Sequence, residues 1–391
     1  MEHIKDFCQR LEIPYDERVI PFYEQGLAMK QELGSAIAEE DRLIALNQKY
    51  NFFRKWFDDV LKAASIIKKD DDLLLYNYIL HCIIKEKAPV SILPAPNKGV
   101  IETDFSPLFA LLWFLEDMIE SMEKRGLPHS VISDTLQGFD GEINDYYALY
   151  GRSGMRRYVS WFTLFVRGQI IRVGRLQFEF ITLREKIRVY QKGEDIQILM
   201  DGETMHQRGM VFGSSGQTDE DQKYFADIQD DNGTVSGYAA NRWGECEPKR
   251  IYLAGYQEVL KQGDAVASVH IPSSEPFTWE LCQQSFAEAA EILKKYYPEK
   301  NVKAFYCSSW MLEKRLRELM GKDTNVTKFA DLFHVYPRCS EATAVYSFLF
   351  HKGSPVPPQE LPEETSMQRA VKAYLCAGNH FYEKAGIILV K

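Results

Sequence analysis

The chain reads as a mixed α and β protein: an all-helical N-terminal domain over residues 1–150, followed by a mixed β-sheet domain over 151–391. Three observations give this. Apolar residues recur at helical spacing through the first 150 positions, as in Leu43, Tyr50, Phe53, Trp56, Phe57 and Leu61. The period switches to two at Arg175-Leu-Gln-Phe-Glu-Phe180, where Leu176, Phe178 and Phe180 face one way and Arg175, Gln177 and Glu179 the other. A strand–helix–strand unit follows at 265–307, a length that favours a parallel pair with a right-handed crossover.

In the first domain a helix over Asp72–Ile84 is bulky on all sides, as a fully buried helix is. Pro89 to Asp104, with three prolines, is a loop. Ser106-Pro107 supplies a cap with proline at the first helical position, and one helix is expected from there to about Arg125, stopped by Gly126 and Pro128. Further helices are expected over Ser130–Tyr150 and Val159–Val166, with Gly151 to Gly154 marking the change of character.

In the second domain, strands over Ile187–Tyr190 and Ile196–Met200 are joined by a turn at Lys192-Gly193-Glu194. Residues 213–236, rich in Gly, Ser, Asp, Asn and Gln, read as a polar loop. Ala265–Ile271 is a strand ended by Pro272. Thr278 caps a helix that Pro298 stops. Val302–Cys307 is a strand, and Trp310–Met320 a helix ended by Gly321. Phe333–Tyr336 and Ala344–Phe350 are expected as paired antiparallel strands. Residues 353–366, with four prolines, form a linker before a terminal helix (Met367–Cys376) and a last strand (Gly386–Val390).

Composition narrows the function. The 391 residues carry 56 acidic and 47 basic side chains, a formal charge of −9, which argues against a nucleic-acid coat. The longest apolar stretch, Phe105–Leu115, is too short to span a bilayer. No signal peptide is apparent, and a soluble cytoplasmic protein is expected. Seven widely spaced cysteines read as reduced thiols, and the histidines show no metal-ligand spacing, so no metal site is expected.

Gly174–Glu179, Val269–Pro272, Phe305–Leu312, Thr324–Val326 and Leu361–Arg369, in this order and at this spacing, resemble a family of bacterial acyltransferase-domain proteins. Its members pair a helical N-acyltransferase N-terminal domain with a GNAT-like C-terminal domain. The resemblance implies a GNAT-like fold for 151–391 and acyl transfer from acyl-CoA, as co-substrate, to a small-molecule or peptidic amine. It also implies a thioester lying between two parting parallel strands, here 265–271 and 302–307. The pyrophosphate would then sit where the following helix begins, near Ile271, Ser273, Ser274 and Thr278, since a helix N-terminus offers unused N–H donors. The turn Pro272–Thr278 has no glycine, and Glu275 carries charge of the phosphate's own sign. That feature favours an alternative, a catalytically inactive GNAT-like binding or regulatory module.

Aminolysis of a thioester needs a base, a donor for the oxyanion and an acid for the thiolate. Glu179, on the polar face of its strand, and His270, at a strand's C-terminal end, are the candidate bases. Cys307 and Ser309 are candidate donors, and a covalent Cys307–His270 route is a further chemical option.

Overall fold

The computed structural model describes residues 2–97, 104–156, 158–273 and 275–390. Ser274, one of the expected phosphate ligands, lies outside the described residues. Two compact units are present. The first comprises 1–177 with 271–276, and the second 178–270 with 277–391.

The first unit is helical. Its helices are α1 (Glu2–Arg10), α2 (Ile20–Leu33), α3 (Glu40–Tyr50), α4 (Phe57–Ile67), α5 (Asp71–Lys85), α6 (Ser106–Leu112), α7 (Leu115–Lys124), α8 (His129–Leu136), α9 (Gly138–Tyr150) and α10 (Val159–Val166). Strand β1 (Ile170–Val173) follows. Helix α5 is the core: every residue from Leu73 to Ile84 is buried, as its all-round bulk requires. Asp70 caps it by accepting the N–H groups of Asp72 and Leu73, both at 3.0 Å. Helix α2 lies close against α5 because Gly26 has no side chain; a Cβ there would stand 2.7 Å from Ile79 Cγ1. Inside α5, Asn77 is fully buried yet satisfied, donating to Leu73 O at 2.9 Å and accepting the Ala110 N–H at 3.0 Å. Two expectations need correction. The single helix from 106 to about 125 is broken between Leu112 and Leu115, where one face ends fully buried and an amphipathic face begins. The helical spacing from 43 to 61 belongs to two helices, separated where Asn51 adopts a left-handed backbone (φ 48°).

The second unit stacks two sheets. Strands β2 (Leu176–Thr182), β11 (Ala265–His270), β12 (Ala304–Ser309), β13 (His334–Pro337) and β14 (Lys384–Leu389) lie in the order β2–β11–β12–β14–β13. The other sheet uses β3 (Ile187–Lys192), β4 (Asp195–Met200), β7 (Gln229–Asp231), β8 (Thr234–Ala240), β9 (Cys246–Ala254) and β10 (Gln257–Lys261), in the order β10–β3–β4–β8–β7, with β9 also on β8. The short pair β5 (Glu203–His206) and β6 (Lys223–Ala226) stands apart. One apolar cluster joins the sheets, with Val266, Ala304, Tyr306 and Ile387 against Ile187, Val189, Ile198 and Leu260. Helix α11 (Trp279–Tyr296) covers the opposite face, where Phe286 meets Phe305 at 5.1 Å and Phe178 at 6.0 Å between ring centroids. Helices α12 (Lys314–Met320), α13 (Asn325–Ala330), α14 (Ala344–Phe348) and α15 (Ser366–Cys376) complete it.

Here too the sequence expectations are amended at two places. Residues 344–350 hold the short helix α14 and no strand; β13 pairs instead with β14, Tyr336 opposite Ala385. A short continuous apolar run has no period to separate helix from strand. Residues 213–236 hold β6, β7 and the start of β8. Their side chains are polar because β7 is exposed along its whole length, so burial selects no apolar alternation there. Among the described residues no helix is long and apolar enough to cross a membrane, and no cluster of metal-ligating side chains occurs.

Candidate functional site

Strands β11 and β12 run parallel, with Val266 opposite Ala304, Ala267 opposite Phe305 and Ser268 opposite Tyr306. The ladder ends there, although β11 continues to His270 and β12 to Ser309. On its far side β12 stays paired with β14 to its last residue, Ser309 opposite Lys384. The two parallel strands therefore part, and the facing edges of Val269–His270 and Cys307–Ser308 have no mutual ladder.

Strand alternation sorts the side chains at this opening. Phe305 packs on Phe286 of α11, so Cys307, two residues on, also faces the helix. Tyr306 belongs to the inter-sheet cluster, so Ser308 shares that face. In β11 the same face carries Val266, Ser268 and His270. His270 Nε2 lies 3.0 Å from Glu179 Oε2, with both side chains partly exposed. Two of the residues expected from sequence thus meet directly. A carboxylate on one imidazole nitrogen holds the proton there and places the basic lone pair on the other.

Cys307 does not join them. It is buried on the helix side, and desolvation pushes its thiol up to about 12, which leaves no thiolate at neutral pH. Facing away from His270, it cannot supply the covalent route. Ser309 closes the strand: its hydroxyl accepts the Met311 N–H at 3.1 Å and caps the turn Trp310–Leu312. Thr278 caps α11, accepting the Leu281 N–H at 3.3 Å, and Asn325 accepts the Trp279 N–H at 3.2 Å; two first-turn donors are thus used internally. Ile271 and Ser273 belong to the first unit, where the Ser273 hydroxyl donates to Asp145 at 2.5 Å. In that unit the Glu275 carboxylate meets the buried Arg172 guanidinium at 2.7 Å, and Arg175 donates to the carbonyls of Glu275 and Pro276, both at 2.9 Å. The charge that set Glu275 against phosphate is matched by an arginine.

The structure adds residues that the sequence reading passed over. Tyr306 donates its hydroxyl proton to Glu185, and burial, reinforced by that carboxylate, raises its pKa far above the usual phenol. Arg338 donates to the Ser308 hydroxyl. Tyr336, fully buried, is likewise raised by desolvation, and its hydroxyl has no hydrogen-bond partner among the described residues. Ser308, Ala385 and Tyr336 are in register across β12, β14 and β13. The polar face of β2 and the period of β12 are the only sequence signals for this row, since Glu185 and Arg338 lie far away in the chain.

Residues 170–388 match the GNAT-like C-terminal domain, and 42–168 match the N-acyltransferase N-terminal domain. The chain belongs to this family. Solved structures agree in fold. An acyltransferase in complex with decanoyl-CoA aligns with a TM-score of 0.62 at 17% identity, over 99% of each chain. An acyltransferase in complex with decanoyl-CoA and teicoplanin aligns at 0.60 and 19%, over 89% of this chain and 87% of that one. An acyltransferase mutant in complex with octanoyl-CoA aligns at 0.60 and 19%, over 90% and 88%. No curated protein sequence matches the chain. The family's GNAT-like domain covers both sheets described above and includes the parted strands.

Proposed function

We propose that the protein transfers an acyl group from acyl-CoA directly to an amine. The observation that carries this reading is the parting of β11 and β12 beside the His270–Glu179 pair. A pantetheine arm is an extended chain of amides. The unladdered edges at Val269–His270 and Cys307–Ser308 offer it the donors and acceptors of a missing strand. The fit is therefore to the backbone of this opening.

In the transfer, the amine nitrogen attacks the thioester carbonyl, a C–N bond forms and the C–S bond breaks. His270, held by Glu179, takes the proton from the amine. The Ser308 hydroxyl, which accepts from Arg338, is left with its own proton to donate to the developing oxyanion. The His270 imidazolium then returns that proton to the departing thiolate, while Tyr306 keeps its own proton in the hydrogen bond to Glu185. No thiolate nucleophile is needed, in keeping with the burial of Cys307.

The complexes of similar acyltransferases with decanoyl-CoA, octanoyl-CoA and teicoplanin support octanoyl- and decanoyl-CoA as donors and a small-molecule or peptidic amine as acceptor. The test is thiol release from decanoyl-CoA by the full chain across a panel of amines, with the acyl amide identified by mass. Amine-dependent release that His270→Ala abolishes supports the reading. Absence of both CoA binding and thiol release would refute it, and CoA binding without turnover would favour the catalytically inactive binding module.

A further inference from the structure

The second unit contains a cavity of about 400 Å³, the size of a small-molecule site, at the C-terminal end of β12, where Ser309 pairs with Lys384. Its wall is strongly charged. Arg208, Lys314, Arg315 and Lys384 contribute four cations and Glu245 and Glu313 two carboxylates, in a chain whose own balance is −9. Most of that charge is matched. Lys314 pairs with Glu245 at 2.5 Å, and Arg315 with Glu318, outside the wall, at 2.6 Å. Lys384, 1% exposed, stands 4.0 Å from Glu313. Arg208 alone of the four has no carboxylate partner among the described residues.

Lys384 is the unusual member. Its ammonium donates to Gly244 O at 2.9 Å and to the thioether of Met210 at 2.8 Å, a weak acceptor. Burial lowers its pKa and raises that of Glu313, each opposed by the other's charge. The approach to Gly244 is built in: a Cβ there would stand 2.6 Å from Val335 Cγ1. Arg208 is two residues from Met210, so the exposed guanidinium and the buried ammonium belong to one wall. Gln217, 5% exposed in the same wall, keeps a side-chain oxygen without a partner among the described residues. A buried lysine–glutamate pair at this separation is expensive unless another polar group completes its bonding.

We propose that this cavity is a ligand site separate from the acyl-transfer opening, and that it takes a small monocarboxylate bearing hydroxyl, amide or amine groups. One uncompensated guanidinium fixes the single negative charge, since Arg offers a carboxylate two parallel donors. The remaining polar wall, with Glu313, Asn379 and the Tyr382 hydroxyl, takes neutral or cationic groups of the same molecule. A dianion is disfavoured because the other three cations of the wall are already paired, which leaves its second charge without a partner.

The site is independent of the acyl-transfer reading and is tested by binding alone. The full chain is titrated calorimetrically with D-gluconate and with L-glutamine, with sulfate as the control anion, in the presence and absence of CoA. At least one of the two carboxylates is expected to bind saturably and to shift the amides of Gln217, Asn379 and His380. Arg208→Ala, an exposed change that spares the fold, is expected to weaken binding at least tenfold, as is Lys384→Met if that variant folds. His270→Ala is expected to leave binding unchanged. Absence of saturable binding by both probes, equal binding of sulfate, an unchanged affinity in Arg208→Ala, or loss of binding in His270→Ala would each overturn the proposal.

Discussion

Two histidines, one in each unit, meet opposite treatment. His81 lies inside the helical unit, 6% exposed and stacked on Phe114 at 4.3 Å, with Nδ1 lacking a partner among the described residues. Desolvation lowers its pKa to about 4, so it is neutral at pH 7. His270 stands at a strand end, partly exposed, with a carboxylate 3.0 Å from Nε2. Burial without a charge partner makes an imidazole part of the packing. Partial exposure beside a carboxylate keeps it oriented and able to exchange protons. The same contrast separates Cys307, sealed in the sheet, from Ser308 on the opposite face.

The largest effect expected is on turnover. His270→Ala should lower kcat by about 10²- to 10⁴-fold, with CoA affinity retained, in a steady-state thiol-release assay. Glu179→Gln should follow it at a smaller loss, because the imidazole remains but its orientation weakens. Undiminished turnover in His270→Ala would erase the distinction between the two histidines. Ser308→Ala should cost about 10²-fold in kcat, as removal of one oxyanion donor does, with KM for acyl-CoA little changed.

The next effect is on stability. His81 has an ordinary pKa of 6.5 when unfolded and about 4 when folded. Its neutral burial therefore contributes fully above pH 6.5. That contribution is lost as pH falls from 6.5 towards 4, because the unfolded chain binds the proton first. Across this window the loss is about 3 kcal/mol. Urea unfolding at pH 7 and pH 5 should show a smaller acid loss in His81→Leu than in the natural chain. The smallest effect is at Cys307. Cys307→Ser should leave turnover within a few-fold, and iodoacetamide at neutral pH should not inactivate the protein through this thiol.

What the sequence made legible was local. The period of β2, the bulk of α5 and the parallel β11–α11–β12 unit follow from spacing within single segments, as does the face shared by Ser268 and His270. The Glu179–His270 contact joins residues 91 apart, yet each is conspicuous in the sequence by its place on a polar strand face or at a strand end. The setting of Tyr306 depends on Glu185, 121 residues earlier. Ser308 was hidden between two residues that drew attention for their side-chain chemistry. The Lys384–Glu313 pair is beyond sequence reading altogether, since a lysine beginning a strand looks like any solvated one until Gly244 and Met210 close around it.

The central claim is that the parted strands receive the thioester arm. It is tested most directly by titrating the isotope-labelled full chain with decanoyl-CoA and following its backbone amides. Saturable shifts at Val269, His270, Cys307 and Ser308 are predicted, with the ladder residues Val266 and Ala304 little moved. Binding that leaves those four amides unshifted, or no binding at all, would contradict it.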